Sequence, residues 1–329
     1  MRSVVSKHAG AAALGVMADL VWGEPPLRPH PVSAFGAVMT RVEQAIYRPR
    51  RAAGVLHAAV GVALGTAAGA VVRSTALATY ISVAQRALRE AGLQVAEALE
   101  GDDLAGARRL LPALVGREAR HLDRTEVARA VVESLAENTV DAVVAPALWG
   151  ALCGAPGALG YRAVNTLDSC VGHRSERYVD YGWASARLDD VANFVPARLT
   201  AALVAAVRPR AAVAVWRAVR HDAPAHPSPN AGVVEAAFAA ALGLRLGGVN
   251  TYGTRTELRP QLGRGRSPEV ADIAAASLLS LIHIYRSFSS CCARAERACS
   301  DVITFEDVTV HYGHDAALQI GRASCRERV

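Results

Sequence analysis

Twenty-one consecutive residues without a charged side chain, Ala52 to Val72, constrain this chain more than any other feature. As a helix they would reach about 31 Å, the depth of the hydrocarbon core of a bilayer. Ala and Gly dominate the segment, which suits packing between helices better than exposure to lipid, because small residues let backbones approach. The expectation is a helix inside a membrane bundle. The overall balance agrees, since 52% of residues are apolar and only 20% charged, too little charge for a typical soluble domain and too apolar for a disordered one.

Other segments extend the pattern. Ala9 to Trp22 is apolar but contains Asp19 and no cleavage site precedes the turn at Gly23, so a retained helix is expected rather than a removed signal peptide. Arg73 to Thr139 is polar and helical, with a turn at Gly101-Asp102-Asp103, and reads as an aqueous layer. Ala142 to Leu159 is apolar but interrupted by Pro146, Gly154, Pro156 and Gly157, breaks that survive at membrane depth only where protein or water surrounds them. Leu199 to Val219 is apolar apart from Arg208, Arg210 and Arg217, and Ala231 to Val249 apart from Glu235 and Arg245. A charge facing lipid costs about 2.5–3.5 kcal/mol, so isolated charges in such helices point to a bundle around a polar site. The predicted fold is all-α: a polytopic membrane helical bundle over residues 1–280 with an aqueous helical layer. Arginine-rich loops flank both sides of Ala52 to Val72 and leave its orientation open.

The C-terminal part differs. Four of the six cysteines fall in the last 39 residues, and Arg, Ser and Cys replace the Ala-rich pattern. Residues 281–284 and 321–329 resemble translated adapter sequence, and Asp301 to Leu318 resembles the opening strand of a truncated ABC-type ATPase. Residues 281–329 are therefore expected to be an irregular, non-native tail.

Lys7 is the single lysine among 36 basic residues. A phosphate loop needs Lys beside Ser or Thr after a glycine run, and this chain has none. Arginine remains for phosphate, since its fixed fork pairs two oxygens at once. No nucleic-acid partner is read from the net charge of +6.

Glu133, Glu137 and Asp141 recur at i, i+4 and i+8, a like-charged stripe that needs arginines or Mg²⁺ to offset it. A solvated helix face would show the same stripe. Here it runs directly into an apolar segment, with Asn138 beside the carboxylates. Between Tyr161 and Arg198, Asn165 and Asp168 are three apart, as are Asp190 and Asn193. Arg174, Arg177, Arg187 and Arg198 are interleaved with them. Oxygen ligands for Mg²⁺ beside arginines suit a phosphorylated ligand; ion pairs holding loops together are the alternative. Two proline-locked loops complete the set, one around His30 and one running His226-Pro227-Ser228-Pro229-Asn230. Asn230 is a natural N-cap, so the helix amides after it would face an anion bound there, near Ser228. His221 and His226 lack a third ligand for zinc.

Five ordered stretches carry a resemblance: PHPV at 29–32, ESLAENTVDAVVAP at 133–146, YRAVNTLDSCVGHRSERY at 161–178, GWASARLDDVANFVPARLTA at 182–201, and HPSPNAG followed by EAAFAAALGLRLGG at 226–248. Together they resemble the CobD/CbiB family of cobalamin-biosynthesis membrane proteins. That resemblance implies a multi-pass inner-membrane adenosylcobinamide-phosphate synthase, an ATP-dependent amide ligase. It would join aminopropanol or its phosphate to the free propionate carboxylate of adenosylcobyric acid. The implied cofactors are ATP and Mg²⁺, with no tightly bound group evident, and the implied partners are the corrinoid, the bilayer and a complex with other cobalamin-synthesis proteins. Carried onto this chain, Glu137, Asp141, Asp168, Asp189, Asp190 and Asn193 would hold Mg²⁺. Arg174, Arg177, Arg187 and Arg198, with Asn138, Asn165, Ser228 and Asn230, would bind substrate or phosphate. His30 or His226 would be the base that deprotonates the amine, and Glu133 and Glu137 would assist catalysis. The carboxylate oxygen must become a leaving group, as an acyl phosphate or an adenylate. A non-catalytic carrier or scaffold for corrinoid intermediates would share the same binding residues. Glu24 stands where the family commonly has Asp, Val233-Val234 replaces a frequent aromatic-Pro pair, and the family would place a further membrane helix after about Leu279.

Overall fold

The computed structural model describes residues 2–252 and 255–281; the tail expectation, and the family's helix after Leu279, fall on 282–329, outside the described residues. The chain forms helices α1 (Arg2–Trp22), α2 (Pro31–Ile46), α3 (Arg51–Val72), α4 (Thr75–Ser82), α5 (Gln85–Glu100), α6 (Leu104–Leu110), α7 (Arg124–Thr139), α8 (Ala145–Val171), α9 (Trp183–Val207), α10 (Ala212–His221), α11 (Ala231–Leu242) and α12 (Val270–Leu281). A two-stranded antiparallel hairpin of β1 (Leu246–Tyr252) and β2 (Arg255–Leu262) lies between α11 and α12. The architecture is helical and of membrane type, with this hairpin as its small exception. Among the described residues, three helical segments are long and apolar enough to cross a bilayer: Arg51–Val72, Arg124–Val171 and Trp183–Val207.

The alanines and glycines of α3 do what their size allows. Gly61, Gly65 and Gly69 repeat every fourth residue, and a Cβ on any of them would overlap Leu167, Ala163 or Pro156 of α8. The two helices therefore pack antiparallel at close range. Leu56, Leu64 and Val71 on the other faces of α3 are exposed, as are Phe194, Val195 and Leu199 on α9. Those side chains form the apolar exterior that a bilayer would cover.

The apolar run through Ala142 to Leu159 is no continuous span. At Gly154 the backbone takes φ 69°, ψ −155°, a conformation that essentially only glycine adopts. The chain reverses there. A Cβ on Gly150 would touch Ala158, eight residues on, and Tyr161 Oη donates to the Asp141 carbonyl at 3.4 Å, whereas twenty residues of straight helix would separate them by about 30 Å. α8 is thus a helical hairpin, 145–153 and 155–171, with Pro156 at the start of the returning arm, where a missing N–H costs nothing.

Three other sequence expectations shift. α4 packs on α1 and α8 instead of lying in the aqueous layer. The stretch Leu199 to Val219 breaks at Pro209, which cannot continue a hydrogen-bonded turn. The apolar run from Ala231 stops at Gly243, φ 68°, and continues as β1. The largest apolar core lies in the polar layer, where Leu88 and Leu99 of α5 meet Val131 and Leu135 of α7, Val204 of α9, Phe238 of α11, Leu262 of β2 and Ile273 of α12.

α1 is fastened to α5 by one carboxylate. Asp19 Oδ2 accepts from the Gln85 and Arg86 amides at 2.8 and 3.1 Å, supplying the acceptor that Ala84, at the N-cap, lacks. In return Arg86 Nη1 donates to the Val21 carbonyl at 3.0 Å, near the C-terminus of α1.

Candidate functional site

Between α7 and α8 the helix widens into a single π turn, Val140–Val144. The wider turn carries Asp141, and the ends of the predicted i, i+4, i+8 stripe have different partners: Glu133 takes Arg117, whereas Asp141 Oδ1 takes Asn193 of α9. Asp141 instead meets α8 and α9, and a chain of polar groups runs from there. Arg162 Nη1 donates to Asn165 Oδ1 at 3.3 Å, and Asn165 Nδ2 reaches Asp189 Oδ1 on α9 at 3.4 Å. Asn193 donates from one Nδ2 to Asp189 Oδ2 at 3.1 Å and to Asp141 Oδ1 at 3.0 Å. Its Oδ1 accepts the Tyr161 hydroxyl at 2.8 Å. The spacings 162/165 and 189/193 put these partners on single helix faces.

Asp189 and Asn193 are fully buried, and Arg162 is 7% exposed. Arg162 Nε has no hydrogen-bond partner among the described residues. An unsatisfied buried donor costs about 1–3 kcal/mol, and a guanidinium presenting a free edge is suited to a carboxylate or phosphate. Arg162 is not among the four arginines, Arg174, Arg177, Arg187 and Arg198, expected from the sequence to bind phosphate. A signal was there: Arg162 is the one charge between Asp141 and Asp168.

The loop after α1 approaches from a second side. Glu24 and His30 both lie within electrostatic range of Arg162. Burial pushes the Glu24 carboxyl up and Arg162 opposes it; burial and then the Arg162 charge push His30 down. His30 caps α2, its Nδ1 accepting the Val32 amide at 3.4 Å. The neutral ring therefore carries its proton on Nε2, which is buried without a partner.

The second proline loop is built differently from expectation. Asn230 sits at the N-cap of α11 but makes no side-chain cap bond; Ser228 Oγ accepts the Ala231 amide at 3.1 Å instead. Asn230 Oδ1 accepts from Arg198 Nη1 at 3.0 Å and its Nδ2 donates to the Asp190 carbonyl at 2.8 Å. Arg198 also lies over the Phe194 ring at 3.5 Å, so it ties α9 to this loop. His226 Nδ1 accepts the Ser228 amide at 3.1 Å, and its Nε2 stands 3.8 Å from Glu235 Oε1. Burial and the charges of Glu133 and Glu137 hold the Glu235 carboxyl well up.

Glu133 belongs to the polar layer. Its Oε2 takes Arg117 Nη2 at 2.6 Å and its Oε1 the Gly247 amide at 2.9 Å, while Arg117 also binds Asn250 and Arg129 the Gly247 carbonyl. Glu137 and Asn138 are buried on α7, the latter donating to the Ser134 carbonyl at 2.9 Å. Asp168 is half-buried near the end of α8, and Arg174 is exposed beyond it. Arg177 pairs with Glu43 at 2.9 Å and stacks over Tyr47 at 4.2 Å. Arg187 Nη1 stands 3.6 Å from Asp190 Oδ2.

Arg187 also edges an apolar cavity of about 890 Å³ between α3 and α9, lined by Ala58, Ala63, Ala67 and Trp183, a volume in the range of ligand sites. Among the described residues no three His, Cys, Asp or Glu side chains gather into a metal cage. Asp141 and Asp189, bridged by one amide, fit the weaker requirement of Mg²⁺, which takes one or two carboxylates and completes its shell with phosphate and water.

The comparisons decide the family. A family model described as CobD/Cbib protein matches residues 12–280. The chain belongs to the CobD/CbiB family. A curated member from Mycobacterium bovis, named cobalamin biosynthesis protein CobD, is 47% identical over 296 residues, 85% of this chain and 93% of that one. The protein of the same name from Mycobacterium tuberculosis is 48% identical over 291 residues, 84% and 92% of the two chains. That from Geobacter metallireducens is 44% identical over 281 residues, 79% and 88%. No solved structure matches. The Asp141–Asn193–Asp189–Asn165–Arg162 chain lies wholly within the stretch that matches the CobD/CbiB model.

Proposed function

We propose that this chain acts in cobalamin biosynthesis as a membrane enzyme that joins aminopropanol, or its phosphate, to the free propionate carboxylate of adenosylcobyric acid, using ATP and Mg²⁺. What supports this is the buried Arg162 with an unsatisfied edge, facing two buried carboxylates inside an apolar bundle. Such an arrangement is costly unless a ligand uses it, and the ligand it suits carries an anionic oxygen group.

Asp141 and Asp189 would hold Mg²⁺ through their carboxylate oxygens, with phosphate and water filling its other positions, and the ion would offset charge on the phosphate. Arg162 would grip the phosphate or carboxylate with its fork, and Asn165 and Asn193 keep the two carboxylates in place. His30, donating from Nε2, would hold an anionic oxygen rather than take a proton, so it fits positioning better than the role of base. The corrin ring would occupy the apolar cavity between α3 and α9, with Arg187 at its edge beside Asp190.

The test is conversion. Purified protein in detergent, supplied with adenosylcobyric acid, ATP, Mg²⁺ and aminopropanol phosphate, should yield an amide detectable by mass spectrometry, and Asp141→Asn should abolish it. A carrier or scaffold would bind the corrinoid and form no amide.

A further inference from the structure

Outside the carboxylate chain, Asp19 and Gln85 hold three buried polar atoms without hydrogen-bond partners among the described residues. Asp19 is fully buried; its Oδ2 serves the α5 amides, but Oδ1 is bonded to nothing among the described residues. Gln85, 1% exposed, has neither its Oε1 nor its Nε2 bonded. The two residues are neighbours, since the Gln85 amide is the one that Asp19 Oδ2 accepts. They are also beside the proposed site. The Ala84 amide donates to the Ala142 carbonyl at 3.0 Å, one residue from Asp141, and Glu24 is within electrostatic range of both Asp19 and Arg162.

Leaving an amide and a carboxylate oxygen unsatisfied in an apolar interior is expensive. The chemistry that would satisfy them is specific. Asp19 Oδ1, Gln85 Oε1 and the Glu24 carboxylate are acceptors, two of them carrying negative charge when ionised, and a primary ammonium has three N–H donors and a positive charge. Gln85 Nε2 then remains to donate to an oxygen on the same small molecule, whose negative charge Arg162 would balance. We propose that Asp19, Gln85 and Glu24 form the subsite for the ammonium end of an amino alcohol or its phosphate. This rests on the amide-forming reading for the identity of the amine, and it assigns that substrate a place.

Equilibrium dialysis of the full chain in detergent with radiolabelled 1-aminopropan-2-ol phosphate, and with isopropyl phosphate as the amine-free comparison, tests it. Asp19→Asn should weaken binding of the amine about 10- to 100-fold and leave isopropyl phosphate unchanged, whereas Gln85→Met, which also removes a donor to an oxygen common to both probes, should weaken the amine about 10- to 100-fold and isopropyl phosphate less. Gln85→Met keeps the backbone bond to Asp19, so it decides the matter if Asp19→Asn fails to fold. Equal weakening of both probes, unchanged amine binding in the variants, or no amine binding by the wild type would overturn the subsite. Amide formation by the wild type together with unaltered variants would sink the subsite alone; amine binding lost in the variants without any amide product would sink the catalytic reading alone.

Discussion

Replacing Arg162 by Met removes the buried cation and keeps most of its volume. If the guanidinium grips an anionic substrate through two charge-assisted bonds, each worth about 1.5–3 kcal/mol, the loss is about 3–6 kcal/mol of transition-state binding. That corresponds to roughly 10²- to 10⁴-fold in kcat/KM. Arg162→Lys keeps the charge but loses the fork, and should fall between the two. The structure separates this from a folding defect, because among the described residues Arg162 makes one side-chain bond, 3.3 Å to Asn165. The assay is amide formation at varied substrate, with the apparent Tm measured alongside. A Met variant with the same Tm and more than half the wild-type kcat/KM would refute the reasoning and leave Arg162 as a counter-ion to Asp141 and Asp189.

Further expectations follow from the same coordinates. Arg117→Met leaves Glu133 buried without its 2.6 Å partner, both groups being under 5% exposed, and should cost about 3–5 kcal/mol, read as a fall in apparent Tm that a second change, Glu133→Gln, partly restores. His30 has its folded pKa lowered below the ordinary 6.5. The unfolded chain therefore binds the proton more readily, and the stability His30 contributes is present above pH 6.5 and lost as pH falls through the lowered value; His30→Gln should flatten that part of the Tm profile, and Arg162→Met should raise the ring's titration midpoint in NMR. Gly154→Ala puts a Cβ where φ is 69° and His8 stands against it, costing about 1–3 kcal/mol, which thermal melts of the purified protein would register.

How much of this was legible depends on what leaves a mark in sequence. Ala52 to Val72 announced α3 because length and lack of charge are themselves the physics of spanning. The five family stretches contain Asp141, Asn165, Asp189 and Asn193, and the structure brings these four together. The π turn at Val140–Val144 is a change in hydrogen-bond register with no residue signature, so nothing in the sequence announces it. Gly154 was visible as a break but not as a reversal, since nothing in its neighbours' apolarity tells a kink from a hairpin. Arg198 and Asn230 were read as ligand-facing because their partner, each other, lies 32 positions away.

Because the chain doubles back at Gly154, some of the polar groups that meet between the helices are also near each other along the ribbon. Asp141 and Tyr161 meet across 20 positions, whereas Asp141 and Asn193 meet across 52, and closing the shorter loop costs about 0.8 kcal/mol less in chain entropy. Half of the pocket can therefore assemble while the ribosome is still making α9, and Arg162 can enter the lipid already escorted by the arm that carries Asp141.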